Sequence, residues 1–388
     1  MGPKAVRYTR LRYNDVVRIT NDEQLLTNIV RLRYADSPIF IDLPNITSQF
    51  EMAGRGNYLG GYGNQTPGRA SLGFGELSLR DTPTLSYHPR EGREIAKSLL
   101  TPLSSDLFIL VNGGANLEQL LILAINDTND VPNAPGATTL LPLVAEDNSL
   151  FVRGIKLIAA MRARDATELV FGTDEDTEGA SEPIPIGQIR GQDLLNAAKD
   201  GYAYRPQSEG RVTVVKRDKG LYIRIRDRYR NAPEMLEWQQ IFRVTPGLSE
   251  YQLKSELSDE AHRKPRPLGE NIIYVNMRSV LQIMTFLSKG VCVPDEHVQS
   301  GIAPSTPGPD GEPYDWKRIT AGHFTVHVQK HRPRDAEIAI PYRGYWFFVA
   351  PDDVRSRSVL SIIEIMFALQ ESDVRSAGPV LTLPIGGR

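Results

Sequence analysis

The chain has a single cysteine, Cys292, among 388 residues. An intrachain disulfide cannot form, and neither a CxxC redox motif nor a Cys-rich zinc site can be assembled. Long apolar runs are missing too. A membrane-crossing helix needs about 20 mostly apolar residues. The best stretch, Ile272 to Leu287, is broken by Asn276, Arg278, Ser279 and Gln282, and reads as a buried strand followed by a helix. The opening Met1-Gly2-Pro3-Lys4 lacks the apolar core of a signal peptide, and Val6 stands where a myristoylation motif needs Ser or Thr. Charge of one sign is absent in bulk, since 45 Lys+Arg against 47 Asp+Glu leave a net charge of −2. Nucleic acid or an anionic membrane would have to be met by a local patch. GxSxG, SxxK, HExxH and GxxxxGK signatures are also absent. Asp352, Asp353, Arg343 and His88 sit near predicted element ends, but no catalytic residue, cofactor or metal ligand is assigned from them.

Apolar residues at 40% and charged residues at 24% describe an ordinary folded chain. At about 150 residues per domain, its length predicts two domains. Thr20 with Glu23 forms a capping box ahead of Leu25, Leu26, Ile29, Val30 and Tyr34 at helical spacing. Strand-like runs at Ile39–Leu43 and Ile46–Met52, a Gly-rich stretch, and Ala70–Leu79 read as a long hairpin with a wide tip. Helices are expected at Glu91–Leu100, Asp106–Asn112 and Leu117–Ile125. The Pro-, Asn- and Asp-rich stretch from Asp127 to Pro142 then marks a boundary between regions 1–142 and 143–388. The second region is expected to carry a helix at Asn148–Arg162, a strand at Leu169–Phe171 and an acidic loop at Thr173–Pro185. A helix follows at Gln192–Lys199, then a hairpin of Arg211–Val215 with Leu221–Ile225 turning at Asp218-Lys219-Gly220. Strands at Phe324–Val328, Ala336–Tyr342 and Trp346–Val349 precede a helix at Asp353–Leu369 and a last strand at Val380–Leu383. Clustered strands with helices between them predict an α+β fold with mixed or mainly antiparallel sheets, its N-terminal helical region carrying the long Gly-rich β-hairpin.

Four constellations bear on chemistry. The glycines from Gly54 to Gly75 could cradle a phosphate, but a further strand rather than a helix follows them, so they read as a hairpin tip in which Tyr58 and Tyr62 offer a contact surface. His323, His327 and His331 lie four apart; on a strand that spreads them over about 13 Å per side, too far for one ion. Asp174, Asp176 and Glu178 imitate half an EF-hand loop, yet Pro185 stands where the bidentate Glu belongs. The segment from Arg205 to Arg230 is locally basic. On its second strand Tyr222, Arg224 and Arg226 share a face, with Arg228 following, a combination able to hold an anionic polymer unless carboxylates elsewhere neutralise it.

Three groups of segments carry a resemblance. They are Asn21–Tyr34 with Ile46–Phe50, Thr82–Tyr87 with Leu100–Pro102, and Tyr342–Phe347 with Pro379–Pro384. Together and in this order they resemble a family of uncharacterised bacterial exported proteins, many of them lipoprotein-like, to which no activity is assigned. The resemblance implies a periplasmic or outer-membrane location and a lipid anchor upstream of the given chain. The expectation is a non-enzymatic envelope protein that binds a protein partner, a second copy of itself or an anionic envelope polymer. Nucleic acid is disfavoured by the neutral total charge. The competing expectation is a hydrolase with a dispersed site in the C-terminal half, near Asp352 and His323.

Overall fold

A computed structural model of the chain describes residues 3–56, 75–89, 93–176, 181–255 and 271–375. Two compact units emerge: Met1–Pro38 with Ala96–Arg388, and Ile39–Ile95. Tyr58, Tyr62, Glu178 and the strand expected at Val380–Leu383 lie outside the described residues.

The larger unit opens with helix α1 (Pro3–Arg33). Its buried stripe is the expected one, with Leu25, Leu26, Ile29, Val30 and, just past its end, Tyr34 all removed from solvent; Leu32 is buried as well. Its start is not at Thr20, whose hydroxyl donates to the carbonyls of Val16 and Val17 inside the helix. The run from Lys4 to Ile19 holds no Gly or Pro to stop the helix propagating toward the N-terminus.

The smaller unit is an antiparallel ribbon of β1 (Ile41–Gly56) and β2 (Gly75–Pro89). Twelve consecutive rows pair from Asn45–Ser86 to Gly56–Gly75, and a register shift between Asp42 and Asn45 accommodates Pro44, which has no N–H to give to a ladder.

Helices α2 (Arg93–Leu100), α3 (Ile109–Asn112) and α4 (Leu117–Ala124) follow. Asn116 caps α4 by accepting from the Gln119 amide, 3.0 Å. Strands β3 (Ile125–Thr128) and β4 (Val131–Pro132) form a hairpin in which Asn129 and Asp130 both take positive φ, 46° and 63°. That is the backbone of a type I′ turn, which asparagine and aspartate tolerate. The stretch from Asp127 to Pro142, expected from its composition to separate two regions, therefore lies inside the larger unit. Two of its asparagines face inward: Asn129 donates to the Phe242 carbonyl (2.7 Å), and Asn133 to those of Ile122 (2.8 Å) and Ile125 (2.7 Å).

Next come α5 (Ser149–Ala163), β5 (Thr167–Asp176), β6 (Ile184–Pro185), α6 (Gly191–Lys199), β7 (Tyr202–Pro206), β8 (Arg211–Ile225), α7 (Pro233–Ile241), β9 (Glu250–Ser255) and β10 (Ile272–Met277). The strands build one eight-stranded mixed sheet in the order β4-β3-β10-β9-β8-β5, with β6 and β7 also paired to β8. β9 and β10 run parallel; the other pairs are antiparallel. Helices α5 and α7 meet the sheet through a cluster of Phe151, Trp238, Phe242 and Tyr251, whose contacting rings have centroids 5.7–6.1 Å apart.

One expectation here is corrected. Arg211–Ile225 is a single strand, not a hairpin turning at Asp218-Lys219-Gly220, and it pairs with β5 without interruption from Thr167–Ile225 to Asp176–Lys216. Gly220 faces Gly172 across the ladder, and the Tyr222 ring lies over both: a Cβ at Gly172 or Gly220 would sit 2.7 or 2.8 Å from its Cε2. The glycine makes room for an aromatic ring rather than for a reversal of the chain. Asp174 and Asp176 are part of the same ladder, so the loop that could wrap calcium is extended strand there.

The chain closes with α8 (Val280–Ser288), α9 (Asp295–Gln299), α10 (Lys317–Thr320), β11 (His327–Gln329), β12 (Ala339–Tyr342), β13 (Tyr345–Phe348) and α11 (Val354–Arg375). β12 and β13 turn tightly at Arg343-Gly344, both at positive φ (46° and 83°), and β11 adds to the other edge of β13. The fold is α+β with a mixed sheet, as the sequence predicts.

Candidate functional site

Two places gather the residues the sequence singled out. The first is the outer face of β8. Tyr222 is occupied in covering Gly172 and Gly220. Arg224 lies in register between Glu168 on β5 and Glu250 on β9. Its Nε donates to Glu250 Oε1 at 2.6 Å, and its Nη1 stands 3.7 Å from Glu168 Oε1. The hydrogen bond to Glu250 raises the Arg224 pKa further. Arg226 reaches Asp165 at 2.6 Å, Arg230 pairs with Asp227, and Arg228 sits 4.6 Å above the Tyr229 ring centroid. Arg224 is thus met by two carboxylates that are remote in sequence but adjacent in the sheet, and Arg226 by Asp165. Such exposed pairs add little stability, but they lower the potential a polyanion would feel. Changing Arg224, Arg226 and Arg228 together to Glu is expected to leave retention on a heparin-type matrix unchanged within error. A loss of salt-sensitive retention would restore the polymer-binding role of this face.

The second place is the junction of α1 with the β12–β13 hairpin and α9, where two of the resemblance segments meet. After α1, Ala35 takes φ 58° and the Asp36 amide bonds back to the Arg31 carbonyl at 2.9 Å, a left-handed helix stop. The Asp36 carboxylate then accepts from Tyr342 Oη (2.5 Å) and Arg343 Nη2 (2.8 Å), and these two donors hold its pKa below the usual carboxylate value. Tyr34 Oη and His297 Nδ1 are 2.8 Å apart in the interior, and burial pushes the Tyr34 pKa up to about 12. Tyr345 donates to Glu296 at 2.5 Å, and the Arg343 guanidinium lies 5.2 Å from the Tyr34 ring centroid. Each polar group in this set has a partner within the chain, which makes the junction a clamp that seats the hairpin on α1.

Two further cations lie nearby, the half-buried Arg33 and the buried Lys289. Arg33 donates to the Pro304 carbonyl (2.7 Å), and burial lowers its pKa. Lys289 donates to the Thr139 carbonyl (2.9 Å) and is brought down to about 7, first by burial and then by Arg33. Sequence reasoning missed Lys289, because a lysine after an apolar helix reads as a solvated end.

The turn that carries His323 reaches the start of α11, beside Asp352 and Asp353: the Thr325 amide donates to Ser356 Oγ at 2.9 Å. His323 is buried in a turn before β11, and burial lowers its pKa, while His327 is exposed on β11. Asp353 is taken up by the Ser356 amide (3.0 Å) and hydroxyl (2.5 Å). Among the described residues, no three His, Cys, Asp or Glu side chains are placed to share a metal ion. A cavity of about 50 Å³ lies between the sheet and the Trp238–Phe242 cluster, against the several hundred Å³ of ligand sites. A groove of about 370 Å³ runs between the end of α1 and α8, flanked by Leu100 and Leu140.

Comparison of the chain with protein-family models, with curated proteins and with solved structures finds no match in any of the three.

Proposed function

We propose that this chain is a non-enzymatic protein of the bacterial envelope, on its periplasmic side or at the outer membrane, that binds a protein partner through the β1–β2 ribbon. One observation carries the reading. The ribbon is a compact unit of its own, and among the described residues its two strands pair only with each other. A lone two-stranded hairpin is at best marginally stable in water. Each of its strands also offers an outer row of backbone N–H and C=O groups that a partner strand can take up. The envelope location rests on the resemblance of the Asn21–Tyr34, Thr82–Tyr87 and Tyr342–Phe347 segments. Exposed apolar side chains at Leu141, Leu143 and Val144, the last two 85% and 68% accessible, give a second patch where an assembly could grow. Ion pairing at Arg224 and Arg226 supports a protein partner over a polyanion.

The test is affinity purification of the tagged protein from its own envelope fraction, beside a variant whose β1 rows carry Thr47→Pro and Gln49→Pro. A stoichiometric protein, which includes additional untagged copies of the chain, is expected with the first and absent with the second. Equal recovery with both, or none with either, contradicts the reading.

A further inference from the structure

The register of the ribbon sorts its residues into two unlike faces. In a pleated pair, directly opposed residues share a face and alternate rows change sides. The rows Ile46–Leu85, Ser48–Pro83, Phe50–Asp81, Met52–Leu79 and Gly54–Leu77 fall on one face. The rows Thr47–Thr84, Gln49–Thr82, Glu51–Arg80, Ala53–Ser78 and Arg55–Glu76 fall on the other. The first face is apolar except for Ser48 and Asp81. The second is polar at nearly every position, and its two charged rows, Glu51–Arg80 and Arg55–Glu76, each set opposite charges across the ladder. Alternation of this kind over successive rows, with hydroxyl and amide residues gathered mainly on one side, belongs to a sheet with water on one face and an apolar medium on the other.

We infer that the ribbon is one stave of a membrane-spanning β-barrel that several copies of this chain close together, the apolar face turned to lipid and the polar face to a water-filled lumen. This rests on the reading of the ribbon as a binding element and names its partner, a second copy of the chain. Length fits. Twelve paired rows at about 3.3 Å each reach roughly 40 Å, and a strand tilted by about 45° crosses the hydrocarbon in about 9–11 residues. Closure follows from the edges. In lipid no water satisfies free N–H and C=O groups, so a two-stranded ribbon enters only if its outer rows are paired, and identical ribbons side by side pair them all. Barrels of this kind start at about eight strands, so roughly four or more copies are required.

The test adds the purified full chain to vesicles of phosphatidylethanolamine and phosphatidylglycerol loaded with self-quenched carboxyfluorescein, and measures the mass of the detergent-extracted protein. Dye release together with a single closed oligomer is expected. Met52→Asp or Leu79→Asp, on the apolar face, should cut release at least tenfold. Gln49→Asp or Thr82→Asp carries the same charge on the polar face and should stay within about twofold of the unaltered protein. All four variants are compared by circular dichroism, which should not change because the larger unit has its own core. Equal release from variants of both faces overturns the barrel. So does a soluble oligomer that releases no dye, or a monomer that recovers a different envelope protein, and in either of those two cases the protein-binding reading survives.

Discussion

Arg278→Ala is expected to cost the larger unit about 3–5 kcal/mol, a large share of the roughly 5–15 kcal/mol typical of a folded domain. Arg278 is fully buried, and its guanidinium donates to the carbonyls of Ile122 (3.0 Å), Leu123 (3.2 Å) and Asn133 while stacking 4.1 Å from the Phe286 ring centroid. Ile122 and Leu123 are in the last turn of α4, where carbonyls lack helical partners and a cation suits the dipole. The Arg278 amide also bonds to the Ala124 carbonyl at 2.7 Å. One side chain thus closes the end of α4, holds the asparagine-rich turn after β4 and supports α8. Alanine leaves these acceptors buried without a donor and opens a cavity as well. Arg278→Met keeps much of the volume and should lose less, roughly half as much. Urea denaturation followed by tryptophan fluorescence reads both, and equal, small losses would remove Arg278 from this role.

Lys289→Met is expected to act in the opposite direction. In the folded chain the ammonium is buried and its pKa is brought to about 7, against 10.5 for an unperturbed lysine. Between these values the unfolded chain binds the proton and the folded chain does not, so stability rises as pH goes from about 7 to about 10 and reaches its low plateau below 7. The amplitude is on the order of 2–4 kcal/mol. The methionine variant, with no charge to bury beside Arg33, should be more stable than the unaltered protein at pH 6 by about 1–3 kcal/mol and should lose most of the slope above pH 7. Melting temperatures at pH 6, 7.5 and 9 check this; a slope that survives the substitution assigns the titration to another group.

Much of the fold was legible where local chemistry and final structure agree. Arg343-Gly344 between aromatic strands gives the tight hairpin with both turn residues at positive φ, and the apolar stripe from Leu25 to Leu32 is the buried side of α1. Illegible features were those in which a residue serves a distant neighbour. Gly220 was read as a turn because its use, leaving space for Tyr222 opposite Gly172, depends on strand pairing between β5 and β8. The partners of the basic face are not readable in sequence, because Glu168 and Glu250 come beside Arg224 only through register. Asparagines at 129 and 133 marked a break in composition but bond inward to the carbonyls of Phe242, Ile122 and Ile125. The clamp at Asp36, Tyr342 and Arg343 joins segments some 300 residues apart, a proximity that no local spacing encodes.

The claim on which the functional reading stands is that the ribbon completes its hydrogen bonding with another chain. Hydrogen–deuterium exchange with mass spectrometry, run on the full protein as extracted with its partners from the envelope and again after dissociation to single chains, measures this at the backbone. The account predicts that peptides covering Ile41–Gly56 and Gly75–Pro89 are strongly protected in the assembled form and exchange at least tenfold faster after dissociation, while peptides of the eight-stranded sheet do not change. Equal exchange of the ribbon in both forms would contradict it.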